Sequence, residues 1–75
     1  MGVDEIITLE NGNEFRLLKE VVVEDEKYFI ATNQIEAEIP INFTVLIQSV
    51  ENGEVFVEEV DDPEFIAKFI DENLN

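Results

Sequence analysis

The dipeptide Asn-Gly occurs twice, at Asn11-Gly12 and Asn52-Gly53, each time between short runs rich in β-branched and apolar residues. Both residue types tolerate positive φ, as a two-residue type I′ turn requires, so each pair predicts a β-hairpin. Ile6-Ile7-Thr8-Leu9 leads into the first turn, and a strand from Glu14 to Glu24 leaves it. Along that strand the odd positions Phe15, Leu17, Val21 and Val23 form an apolar face interrupted by Lys19. The even positions Arg16, Leu18, Glu20 and Val22 are mixed. Eleven residues is long for one strand, and a bend or bulge at Lys19-Glu20 would shift the phase. Asp25-Glu26 turns the chain into a third strand from Lys27 to Thr32.

The stretch from Asn33 to Asn42 alternates Ile35, Ala37, Ile39 and Ile41 with Glu36, Glu38 and Pro40, which is strand periodicity. Pro40 cannot donate to a ladder, so a strand here lies on an edge. Phe43 to Val50 reads as a strand apolar on both faces, and Val55 to Val60 returns antiparallel after the second Asn-Gly. Period two then stops. Asp62 is an N-cap with Pro63 at the first helical position, and Asp61 with Glu64 forms a competing capping box. Phe65, Ile66, Phe69, Ile70 and Leu74 fall on one helical stripe. Glu64 and Lys68 are spaced for an i,i+4 ion pair, while Asp71 and Glu72 oppose the helix dipole and predict a frayed end.

The fold class that follows is α+β. It is one small acidic domain over residues 1–75, an antiparallel meander of about five strands with a helix from Pro63 to about Asn73 on one face. The expected core is Ile7, Leu9, Phe15, Leu17, Val21, Ile30, Val45, Ile47, Val55, Val57, Phe65, Ile66, Phe69 and Ile70. Leu18, Val22, Leu46 and Phe56 are expected to point away from the helix. Either the sheet curls into a small barrel over them, or they form a patch for a partner.

A domain this small has little interior to spare. Surface scaling gives a folded area of roughly 4,700 Å², with about 60% of the extended chain's surface buried. No cysteine is present to staple the fold.

At this point the chain resembles the YrzB-like family of small acidic bacterial proteins, to which no function is assigned. The likeness lies in Ile7-Thr8-Leu9-Glu10-Asn11-Gly12-Asn13-Glu14-Phe15, in the acidic turn before Tyr28-Phe29, in Glu51-Asn52-Gly53-Glu54 and in Val60-Asp61-Asp62-Pro63-Glu64-Phe65. It spans roughly Ile6 to Asn73. The chain departs from that pattern at Asn33 to Ile41, where the family carries an acidic run. The resemblance implies a meander closed by a helix, and it brings no activity, cofactor or catalytic residue with it.

Nineteen Asp and Glu against four Lys and Arg give a net charge of −15. No direct binding to nucleic acid or to an anionic membrane is therefore expected, because both are polyanions. Nothing resembles a membrane span or a signal sequence, and a cytoplasmic location is expected. With neither His nor Cys, most neutral-pH acid–base, thiol and zinc chemistry is unsupported. The only serine, Ser49, has no histidine to activate it.

Glu58-Glu59-Val60-Asp61-Asp62-Pro63-Glu64 is the densest set of acids, and it reads as the acidic first turn of the helix before it reads as a metal site. Glu24-Asp25-Glu26 reads as a solvated turn. No catalytic, cofactor-binding or metal-binding residue is assigned, and no cofactor is expected.

Two functions remain. One is a non-enzymatic interaction domain, monomer or homodimer, that docks a protein, basic where charge selects it, through a strand edge or the second sheet face. The alternative is a nucleic-acid mimic that inhibits a DNA- or RNA-handling enzyme, of the anti-restriction or anti-CRISPR type. Duplex DNA carries one charge per roughly 100 Å² against roughly 300 Å² here, so mimicry needs most of the charge on about a third of the surface.

Overall fold

A computed structural model describes residues 2–74. Five strands form one curled antiparallel sheet in the order β1-β2-β3-β4-β5: β1 Ile6–Thr8, β2 Glu14–Val23, β3 Glu26–Thr32, β4 Thr44–Glu51 and β5 Glu54–Glu59. The helix α1, Pro63–Leu74, follows. The expected α+β meander is therefore present.

The three hairpin turns are built differently. At β4–β5, Asn52 and Gly53 both have positive φ (52° and 81°), giving the expected two-residue turn closed by the Glu51–Glu54 pair. At β1–β2 only Gly12 is positive, at φ 91°. Leu9 N–H donates to the Asn13 carbonyl and Gly12 N–H to the Leu9 carbonyl. This is a three-residue loop with glycine in the left-handed position, and it replaces the expected type I′ turn. At β2–β3 the turn residues are Glu24 and Asp25, at φ 50° and 67°, one position earlier than expected.

β2 slips its phase at Leu18. Leu17 pairs with Ala31 but Lys19 with Ile30, so Leu18 is an extra, bulged residue. The expected slip is real but lies one residue earlier than Lys19-Glu20. Its consequence is large, because it moves the odd positions from one face to the other. Phe15 and Leu17 pack with Phe29, Ala31 and Leu46 on one face, whereas Val21 packs with Ile30, Val45 and Phe69 on the opposite face. One strand thus supplies two cores.

The first core lies inside the curl of the sheet, flanked by Ile7, Leu9 and Val57. Of the two alternatives for the second face, each holds in part: the curl encloses Leu46, whereas Val22 is left 61% exposed. Leu46 and Val22 do point away from the helix, and Leu46 is fully buried. Phe56 does not point away: it pairs with Ser49, two residues beyond Ile47, on the helix side. Leu18 sits half-buried in the bulge.

The second core lies under α1, whose Ile66, Phe69 and Ile70 meet Tyr28, Ile30, Val45 and Val60. Tyr28, Phe65 and Phe69 form a ring cluster, with centroids 5.1 to 5.7 Å apart. Two members of the expected core, Val55 and Phe65, are exposed. Val55 lies at the turn end of an edge strand, and Phe65 in the first turn of the helix. Phe29, Ala31 and Leu46 take their places in the interior.

The helix starts as expected. Asp62 Oδ1 accepts from the Glu64 and Phe65 N–H groups (3.0 and 3.3 Å), so Asp62 is the cap and the Asp61–Glu64 box is not used. Lys68 pairs with Glu72 at 4.0 Å and not with Glu64. The helix runs through Asp71 and Glu72 to Leu74, within one residue of the expected end near Asn73. Lys19, made to face the helix by the bulge, donates to the Asn73 carbonyl.

Residues 33–43 contain no strand, which corrects the edge strand expected at Ile35 to Ile41. The segment is an irregular loop whose carbonyls and amides are met by side chains. Arg16 donates to the Ile35 and Ala37 carbonyls (2.7 and 2.9 Å), and Gln34 Oε1 accepts from the Ile41 and Asn42 N–H groups. Ile39 and Ile41, either side of Pro40, are 86% and 77% exposed.

Candidate binding cleft

Each strand is antiparallel to the next, so in a five-strand meander β1 and β5 run in the same direction. The curl brings these two edge strands to opposite walls of a half-open cleft of about 730 Å³. Antiparallel closure between them is ruled out by direction, and among the described residues no backbone hydrogen bond joins them.

The ladder pattern fixes which backbone groups face this cleft. Leu9 N–H bonds to the Asn13 carbonyl and Leu17 N–H to the Glu5 carbonyl, so Glu5, Ile7 and Leu9 turn their backbone toward β2. By alternation Ile6 and Thr8 present theirs to the open side. On β5, Val60 N–H bonds to the Val45 carbonyl, and Glu58, Phe56 and Glu54 follow the same parity. Val55, Val57 and Glu59 therefore face outward.

The floor of the cleft is apolar and belongs to the inner core, through Ile7, Leu9 and Val57. Its rim is acidic, through Glu10, Glu58, Glu59 and Asp61, and no lysine or arginine lines it. The four cations of the chain are engaged elsewhere: Arg16 and Lys19 on carbonyls, Lys27 on Glu20 at 3.0 Å and Lys68 on Glu72. Among the described residues, none of the four rim acids takes part in an ion pair. A smaller recess of about 280 Å³, lined by Asn13, Asn33, Asn42 and Glu14 among others, shares Glu59 with the cleft.

The acidic run from Glu58 to Glu64 is not gathered into one site. Glu58 and Glu59 alternate across β5, and Asp62 is committed to the helix cap. Among the described residues, no three carboxylates converge as metal ligands. Glu24 and Asp25 are turn residues, and Ser49 lies exposed on β4. No helix of the described residues is long and apolar enough to cross a membrane.

The β1–β5 gap is absent from the sequence-based expectations, although the signal for it was there. A meander with an odd number of strands leaves its first and last strands parallel. No protein-family model, curated protein or solved structure matches the chain.

Proposed function

We infer that this protein is a non-enzymatic binding module that docks another protein at the β1–β5 cleft. The observation that supports this reading is the cleft itself: two unpaired strand edges, an apolar floor and an acidic rim lacking internal counter-ions. A partner offering apolar side chains flanked by basic ones would neutralise the rim and cover the floor. The chain's lack of His and Cys fits a molecule that adheres and does not catalyse. We place its action in the cytoplasm.

Nucleic-acid mimicry is less favoured by the distribution of charge. A net charge of −15 over 5263 Å² averages one per about 350 Å², well below the density of duplex DNA. The turns at Glu24-Asp25 and Glu51–Glu54 lie at one end of the sheet, and Glu10, Glu14, Asp61 and Asp62 at the other. These acids are divided between the two ends of the sheet.

The test is capture of partners from native cells at 150 mM salt, followed by calorimetry with the purified partner. A stoichiometric protein complex is expected. A complex that forms only with nucleic-acid enzymes and is competed away by DNA would replace this reading with mimicry. Turnover of a small molecule, lost when one Glu or Asp is neutralised, would overturn it.

A further inference from the structure

We propose that the cleft is the slot for a sixth β-strand, supplied by a partner as an extended segment of alternating apolar and basic residues. This rests on the binding role inferred above and specifies its mode. Five antiparallel strands in a curl leave two edges running the same way, and one strand antiparallel to both would close the barrel with every ladder antiparallel. The free backbone groups of Ile6 and Thr8 on one wall, and of Val55, Val57 and Glu59 on the other, are placed to pair with it. Edges in small proteins are normally blunted by lysine, proline or a covering loop. Here neither β1 nor β5 contains a lysine or a proline. The protection is the three-residue length of β1 and the glutamates Glu54, Glu58 and Glu59 of β5, which repel a second acidic chain and leave both edges open to a basic segment.

Side-chain alternation sets the composition of the incoming strand. Its inward positions would lie over Ile7, Leu9 and Val57, which selects apolar residues. Its outward positions would lie beside Glu54, Phe56 and Glu58 of β5 and Ile6 and Thr8 of β1. One inward position would lie opposite Glu59, so lysine or arginine is selected next to those glutamates. β5 is six residues long, about 20 Å, so the segment is about six residues. A second copy of this chain is a poor occupant, because two bodies of −15 repel and each carries only four cations, all engaged.

The probe is a seven-residue peptide alternating lysine and valine, blocked at both ends. A peptide of the same charge alternating lysine and proline serves as control, since proline cannot donate to a ladder. In 150 mM salt the valine peptide is expected to bind one to one and to slow amide exchange of Ile6, Thr8, Val55 and Val57 at least tenfold. The exposed β2–β3 turn amides should be unaffected, and the proline peptide should not bind. Val55→Lys, at a residue 53% exposed, should fold normally and weaken binding at least fivefold.

Equal binding of both peptides, or binding without protection of those amides, would overturn strand addition. So would self-association of the free protein through the same edges. A native partner that docks while these amides stay unprotected would refute the sixth strand yet leave the binding role standing.

Discussion

Lys19, in the middle of β2, donates a hydrogen bond to the backbone carbonyl of Asn73, fifty-four residues away at the end of α1. It places a cation where the helix dipole is negative and where Asp71 and Glu72 add repulsion. Replacing it by methionine keeps most of the stem and removes the charge. Lys19→Met should lower stability by about 0.3–1 kcal/mol, or about 2–6 °C in melting temperature. Lys68→Met makes the same change in net charge at an exposed helix position and should cost less. Equal melting temperatures for the two variants would deny Lys19 its anchoring role.

The β2–β3 turn carries strain that the β4–β5 turn avoids. Glu24 and Asp25 both occupy the left-handed region, which costs ordinary residues about 1–2 kcal/mol each, less for Asp. Glu24→Asn combined with Asp25→Gly should therefore stabilise the protein by about 1 kcal/mol after the glycine's extra unfolded-state entropy is counted. The converse change, Gly53→Ala, meets no atom within 4 Å and should still destabilise, through φ alone. Thermal denaturation followed by circular dichroism reads both signs.

Because the inner core is separate from the helix core, a truncation inside the curl should be as costly as one under α1. Leu46→Ala should cost about 2–5 kcal/mol, comparable to Phe69→Ala, whereas Val55→Ala should cost less than about 0.5 kcal/mol. A cheap Leu46→Ala would mean that the curl does not close over its own interior.

Self-repulsion at −15 should make stability depend on ionic strength. The melting temperature should rise with added NaCl up to about 150 mM, where the screening length falls to about 8 Å. At matched ionic strength Ca²⁺, Mg²⁺ and Mn²⁺ should add nothing beyond screening. An extra rise with any one of them would reveal specific binding to the native state.

The meander, the helix and its Asp62 cap were legible because period two, turn residues and capping chemistry are local signals. The places where reading failed are those decided by tertiary packing. The length of β2 and its break at Lys19-Glu20 signalled a phase slip, but nothing local marks Leu18 as the bulged residue, and its position decides that Val21 leaves the face of Phe15 and Leu17. Ile35 to Ile41 has the alternation of a strand, but Arg16 and Gln34 satisfy its backbone and hold it as a loop. Phe29 and Leu46 were left out of the expected core because strands apolar on both faces do not declare which face will be enclosed. The cleft depends on the same curl, which local pattern does not encode.

Amide exchange in the free protein tests the open cleft most directly. With β1 and β5 unpaired, Val55, Val57 and Glu59 should exchange at least tenfold faster than Phe56 and Glu58, and Ile6 and Thr8 faster than Ile7. Uniform protection along both strands would mean that the two edges already pair with each other or with a second molecule, and that no slot exists.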